Sequence, residues 1–174
     1  GFEIVPIAEA PALKAAARAT DAYVKGLGEF RRRKFERAKR FFMEAIEADP
    51  NFANARYQLA LVHHYCRDHE TAVRLLEEVR TAEPDFERLP FLESYIGWSR
   101  FELGEDEAAI TAFERSLAGK EIPGSLLGLG LAFERAGRPA EARERLLRYV
   151  AIAPDDGRVN KAQDALERLA GSGP

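Results

Sequence analysis

Four times along this chain an alanine is followed four residues later by a large apolar residue, and three residues after that by a small or apolar one. The copies read Ala38, Phe42, Ala45; Ala72, Leu76, Val79; Ala109, Phe113, Ser116; and Ala142, Leu146, Tyr149. A proline follows five residues on in three of them, at Pro50, Pro84 and Pro154, and is missing from the third. Successive alanines are 34, 37 and 33 residues apart. A period of this size means one supersecondary unit used repeatedly, none of which can bury its apolar face alone.

The unit is helical. From Phe35 to Ala48, the apolar residues Phe35, Ala38, Phe41, Phe42, Ala45 and Ile46 recur at three- and four-residue steps, which places them on one helix face. Arg37, Lys39, Arg40, Glu44 and Glu47 take the other face. The pattern returns in 71–82, 107–118 and 140–152. Breakers separate the segments at Asp49-Pro50, Glu83-Pro84, Pro90, Gly104, Ile122-Pro123, Gly137 and Pro154. Alternating β-branched runs and hairpin dipeptides are nearly absent. The reading is an all-α chain of helical hairpins.

Composition narrows the function. The chain has 174 residues, 46% of them hydrophobic, which suits one compact domain or one short repeat array. Its net charge of −3 is too small for a whole-molecule nucleic-acid binder, and its single cysteine cannot form an intrachain disulfide. No apolar run approaches the roughly 20 residues of a membrane-spanning helix. Gly1 in place of Met reads as a processed product or an excised segment, and 1–10 lacks the basic-then-apolar order of a signal peptide. The expectation is a soluble protein, with the cytoplasm favoured.

The repeat resembles the tetratricopeptide repeat, a helix-turn-helix unit of 34 residues. Its first helices carry the resemblance further. Leu126, Leu129, Gly130 and Phe133 stand at the apolar, Leu, Gly and Tyr places of the fourth copy; Ile96-Gly97 and Leu59-Ala60 fill the Leu-Gly pair of the third and second; Gly26 holds the Gly place of the first. The resemblance implies a right-handed α-solenoid with repeats at about 20–52, 53–86, 90–122 and 123–154. Residues 1–19 would extend the first helix or cap it, 155–170 would form a capping helix, and 171–174 a tail. Three extra residues around Phe86–Pro90 are expected to alter the stacking or bulge out.

In that family the first helices line a concave surface that binds a partner. Carried over by position, the binding residues would be Tyr23, Leu27 and Phe30; Asn54, Tyr57, Leu61, His64 and Tyr65; Phe91, Ser94, Tyr95, Trp98, Phe101 and Glu102; and Leu127, Leu131, Glu134 and Arg135. The set is rich in aromatic rings, which dominate binding hot spots. It points to a non-enzymatic adaptor holding a peptide or helix of a protein partner, with Tyr57 and Trp98 the rings most expected to be accessible. A docking domain of a larger bacterial signalling or secretion-assembly protein and a self-assembling scaffold, a homo-oligomer, are the alternatives. Tyr23, Leu27, Gln58, Phe91 and Tyr95 stand nearest the places where one subclass clamps a C-terminal carboxylate with Lys, Asn and Arg, so that clamp is absent.

Other constellations carry less. His63, His64, Cys66 and His69 include metal-ligand types, but each already has a place in the repeat, and no metal or cofactor is expected. Gly128-Leu129-Gly130 has the look of a dinucleotide loop without the strand such a loop needs. No nucleophile has a partner at a catalytic spacing. The run Arg31-Arg32-Arg33-Lys34, with Arg37, Lys39 and Arg40, is either a solvated turn and helix face or a contact for phosphates or anionic lipid heads. Residues 1–50 carry 10 basic and 8 acidic side chains, against 16 and 21 in the remainder.

Overall fold

The computed structural model describes residues 9–171. The segment before Glu9 and the tail residues Ser172 to Pro174 lie outside them. Among the described residues the chain is helical throughout, with no strand. It divides into two compact units at Glu83 and Pro84, beside the three-residue insertion. In the first unit, α1 (Glu9–Arg31) pairs with α2 (Phe35–Ala48), and α3 (Ala53–Tyr65) with α4 (His69–Ala82). In the second, α5 (Leu89–Glu102) pairs with α6 (Asp106–Leu117) and α7 (Pro123–Arg135) with α8 (Pro139–Ile152), followed by α9 (Val159–Gly171). Residues 11–19 continue the first helix backward rather than forming a separate cap.

All four hairpins turn in the same way. One residue in each turn has a left-handed backbone: Arg33 (φ 58°), Arg67 (φ 65°), Gly104 (φ 81°) and Gly137 (φ 73°). Each lies five residues before an anchor alanine. Its N–H donates to the carbonyl three residues back, as Arg33 does to Phe30 (2.8 Å) and Gly137 to Glu134 (3.1 Å). The following N–H reaches the carbonyl five back at 2.9 Å in every copy, Lys34 to Glu29, Asp68 to His63, Glu105 to Arg100 and Arg138 to Phe133. This is a Schellman closure, which satisfies carbonyls the helix end would otherwise leave open. Glycine adopts it freely, whereas an L-residue crowds its Cβ against the following carbonyl.

Packing within each hairpin is small against large. Ala38, Ala72, Ala109 and Ala142 are fully buried, and so are the large residues four positions on, Phe42, Leu76, Phe113 and Leu146. A Cβ added at Gly26 would come within 2.6 Å of the Phe42 ring, and one at Gly97 within 2.6 Å of Phe113. Phe113 is wedged from the other side by Gly128, so its ring fills the space between α5 and α7. Gly128-Leu129-Gly130 therefore belongs to helix packing: a Cβ at Gly130 would meet Leu146 at 2.7 Å.

The third copy closes without its proline. Ser116, at the repeat's small place, donates to the Pro90 carbonyl (2.7 Å) and shares a hydrogen bond with Ser125 (2.7 Å). Ser125 donates to Ser94 (2.8 Å). This buried chain of hydroxyls ties α5, α6 and α7 together.

Two predictions follow from the turns and the wedge. The R33G/R67G variant should relieve backbone crowding worth about 1 kcal/mol at each turn, raising the melting temperature by several degrees in a circular dichroism melt. Gly128→Ala should lose about 1–3 kcal/mol in urea titration, because the Phe113 ring has nowhere to go, while Gly119→Ala, with open space around it, should be near neutral.

Candidate functional site

The first helices α1, α3, α5 and α7 carry the expected binding residues, and the structure sorts them into buried and presented. On α3, Ala55 and everything from Tyr57 to Val62 is buried. Tyr57 is only 3% exposed and Leu61 6%, so the expected accessibility of Tyr57 is corrected: α3 packs against α1, α2 and α4 and buries nearly its whole circumference. Asn54 at its start is exposed, and Tyr65 at its end is 46% exposed. Tyr23 is half-buried against Phe52 (4.9 Å between centroids) and Phe42 (6.0 Å), and Leu27, one turn on, is half-buried.

The histidines sit around the end of α3. His63 Nδ1 pairs with the Asp68 carboxylate at 2.8 Å, and Asp68 also accepts the Thr71 N–H at the start of α4. His64 meets the Tyr65 and His69 rings edge to face, at 5.4 and 5.3 Å. Among the described residues no three His, Cys, Asp or Glu side chains gather as a metal site. Burial pushes the Cys66 thiol up from its ordinary value, and the Glu36 charge adds to this.

In the second unit, Leu127 and Leu131 are corrected from groove to core. They are 0% and 4% exposed, in a cluster with Leu146, Tyr149, Ala162 and Ala165. The physical reason is α9, which lies against α7 and α8 and presses Leu166 and Leu169 onto that cluster. Glu134 is taken by Arg168 of α9 in a two-pronged pair (2.8 and 3.0 Å). Arg135 binds Asp106 and the Phe101 carbonyl and lies 3.8 Å from the Phe101 ring centre, which makes half-buried Phe101 part of an interhelical lock. Ser94 is buried in the serine chain.

What remains presented on α5 is a stripe. Phe91 (45% exposed), Tyr95 and Trp98 (both half-buried) stand at steps of four and three, on one helix face. Trp98 rests edge to face on Phe113 (5.5 Å), and the Lys161 ammonium of α9 lies 5.7 Å from its ring centre. Sequence reasoning missed Lys161 and Arg168. Their spacing of seven places them on one side of α9, but nothing in the sequence says that this side faces α5 and α7.

A loop clasp positions α9. The Asp156 carboxylate accepts hydrogen bonds from the Arg158 backbone N–H (2.9 Å), Nε (3.0 Å) and Nη2 (2.8 Å). These bonds hold the Asp156 carboxyl far below the usual carboxylate range. Burial, with the Asp156 charge beside it, pushes the Tyr149 hydroxyl up. A depressed acid contributes stability above its unfolded value of about 4 and loses it as pH falls toward the folded one. The Asp156→Asn variant should therefore be less stable than the native chain at neutral pH, and urea titrations at successively lower pH should show that gap closing below about pH 4.

Comparison with known proteins agrees with this architecture. Family models described as tetratricopeptide repeat match residues 41–74 and 96–157. No curated protein matches the chain in sequence. Among solved structures, MamA from Desulfovibrio magneticus RS-1 is similar at 18% identity and TM-score 0.73, over 88% of this chain and 90% of that one. Pseudomonas aeruginosa PilF is similar at 20% identity and TM-score 0.69, over 92% and 79%. YrrB, described as a TPR protein with an unusual peptide-binding site, is similar at 15% identity and TM-score 0.66, over 88% and 87%. At these identities the likeness is one of fold. Among the described residues no helix is long and apolar enough to cross a membrane.

Proposed function

Because this chain belongs to the tetratricopeptide-repeat family, whose fold serves protein–protein interaction, we propose that it is a non-enzymatic scaffold that docks an apolar peptide or helix of a partner on the α5 stripe. The observation that carries this reading is Phe91, Tyr95 and Trp98 standing in line on one helix, with Phe91 45% exposed. Aromatic rings held by a rigid scaffold offer large contact area with little rotamer freedom to lose. Lys161 over Trp98 adds a cation at one edge of the stripe, suited to a carboxylate on the bound peptide.

On this reading Tyr23, Leu27, Asn54, His64 and Tyr65 form a separate presented row on the first unit. Tyr57, Leu61, Leu127 and Leu131 support the scaffold and are not contacts. YrrB, as a TPR protein with a peptide-binding site, lends the reading support by likeness of fold alone.

Trp98 is the chain's single tryptophan, which makes it a reporter. Peptides selected from a displayed library against the native chain should shift its fluorescence to the blue. The F91A/Y95A variant, which leaves Trp98 on its core contacts, should bind those peptides at least about 30-fold more weakly, the loss of a hot spot. Unchanged affinity in the folded variant would place the contact surface elsewhere.

A further inference from the structure

The first unit carries a basic edge that the α5 stripe does not use. Arg31, Arg32, Arg33 and Lys34 cross the α1–α2 turn, and Arg67 sits in the α3–α4 turn; all five are exposed. The two turns are neighbours, because Tyr65 stacks on Phe35 (5.9 Å, 2° between planes) and meets Phe30 edge on (5.7 Å). Arg32 pairs with Glu29 at 3.0 Å. Among the described residues, Arg31, Arg33, Lys34 and Arg67 make no ion pair with a carboxylate, while Arg33 lies 6.0 Å from the Phe35 ring centre.

Two of these cations occupy the costly position. Arg33 and Arg67 are the left-handed residues of their turns, at the places where the second unit has Gly104 and Gly137. The turn plainly works with glycine, so arginine there is a conformational expense, offset at Arg33 only by the distant Phe35 ring. Strained positions of this kind gather where a side chain has a task.

We propose that this paired-turn edge, formed by Arg31, Arg33, Lys34 and Arg67 with Tyr65 between them, docks the protein on an anionic lipid surface. The cations are exposed at the end of α1 and in two neighbouring turns, open to a surface that carries many phosphates at once. An extended peptide held by main-chain hydrogen bonds would instead call for an open strand edge, and among the described residues there is no strand. Guanidinium groups bind phosphate oxygens in two-pronged fashion, and clusters of four or more basic residues are attracted to anionic leaflets. The 46% exposed Tyr65 ring is amphipathic in the way that suits the headgroup layer.

The test is flotation of the full chain with phosphatidylcholine vesicles, with and without about one-third phosphatidylserine, at about 0.1 M and about 0.5 M salt. The native chain should float with the anionic vesicles only, and release at the higher salt. Each cation contributes about fivefold in partitioning, so the R31Q/R33G/R67G variant should bind about 100-fold more weakly. Its melt should show no loss of fold, since both glycine changes relieve their turns. An R115Q/K120Q/R143Q variant removes the same charge from exposed positions of the second unit and should bind almost as the native chain does. Equal weakening of the two variants, or no preference for anionic over neutral vesicles, would overturn the proposal. So would retention of an acidic peptide or single-stranded RNA by a chain that ignores the vesicles.

Discussion

The packing of α5, α6 and α7 rests on one ring. Phe113 sits between Gly97 and Gly128 with no room for a methyl group on either side, and Trp98 leans on its edge. Interiors packed this tightly do not deform smoothly, because displaced atoms have no free volume to enter. The spacing between α5 and α7 is therefore set by the thickness of a phenyl ring, and the face that α5 presents is set with it. In the first unit Phe42 does the same against Gly26, with Tyr23 tilted against it and Phe52 beyond. A peptide-binding scaffold needs this rigidity, since affinity depends on rings that do not have to be ordered on binding.

The repeat was legible because its signal is local. Ala38, Ala72, Ala109 and Ala142 announce close helix approach through their size, and Phe42 and Phe113 announce the gaps they fill. The hairpin turns were half legible. Gly104 and Gly137 advertise a left-handed backbone, but Arg33 and Arg67 in the same conformation look like ordinary surface charge. Only the periodic spacing shared by all four residues could have exposed them. The helix faces were least legible. Leu127 and Leu131 occupy positions that face a ligand in the family pattern, and whether they do so here depends on α9, some thirty residues further along the chain. Tyr57 disappears for a similar reason: α3 is wrapped by three neighbours, a fact of tertiary structure that its own residues do not encode.

The two units present chemically different surfaces. The second presents an aromatic stripe edged by one cation, the first a row of cations backed by aromatic rings. The hairpin architecture is shared, and the difference lies in which residues fill positions the scaffold leaves free. This is how a repeat fold acquires function: side chains change at sites where the packing is indifferent, and the helices carry them. The serine chain from Pro90 to Ser94 marks a place where packing is not indifferent, since it stands in for a structural proline by tying three helices through hydroxyl groups.

The two faces of α9 differ in kind. Its inner face supplies Ala162, Ala165, Leu166 and Leu169 to the core, while Asn160, Gln163, Asp164 and Glu167 on the remaining face are exposed. Burying those amides and carboxylates would mean stripping water from them with nothing apolar to gain in exchange. The helix is thus two-sided in its tolerance: a change among its outer amides and carboxylates leaves the core as it is, while a single added methyl at Ala162 or Ala165, both fully buried, has no free volume to enter.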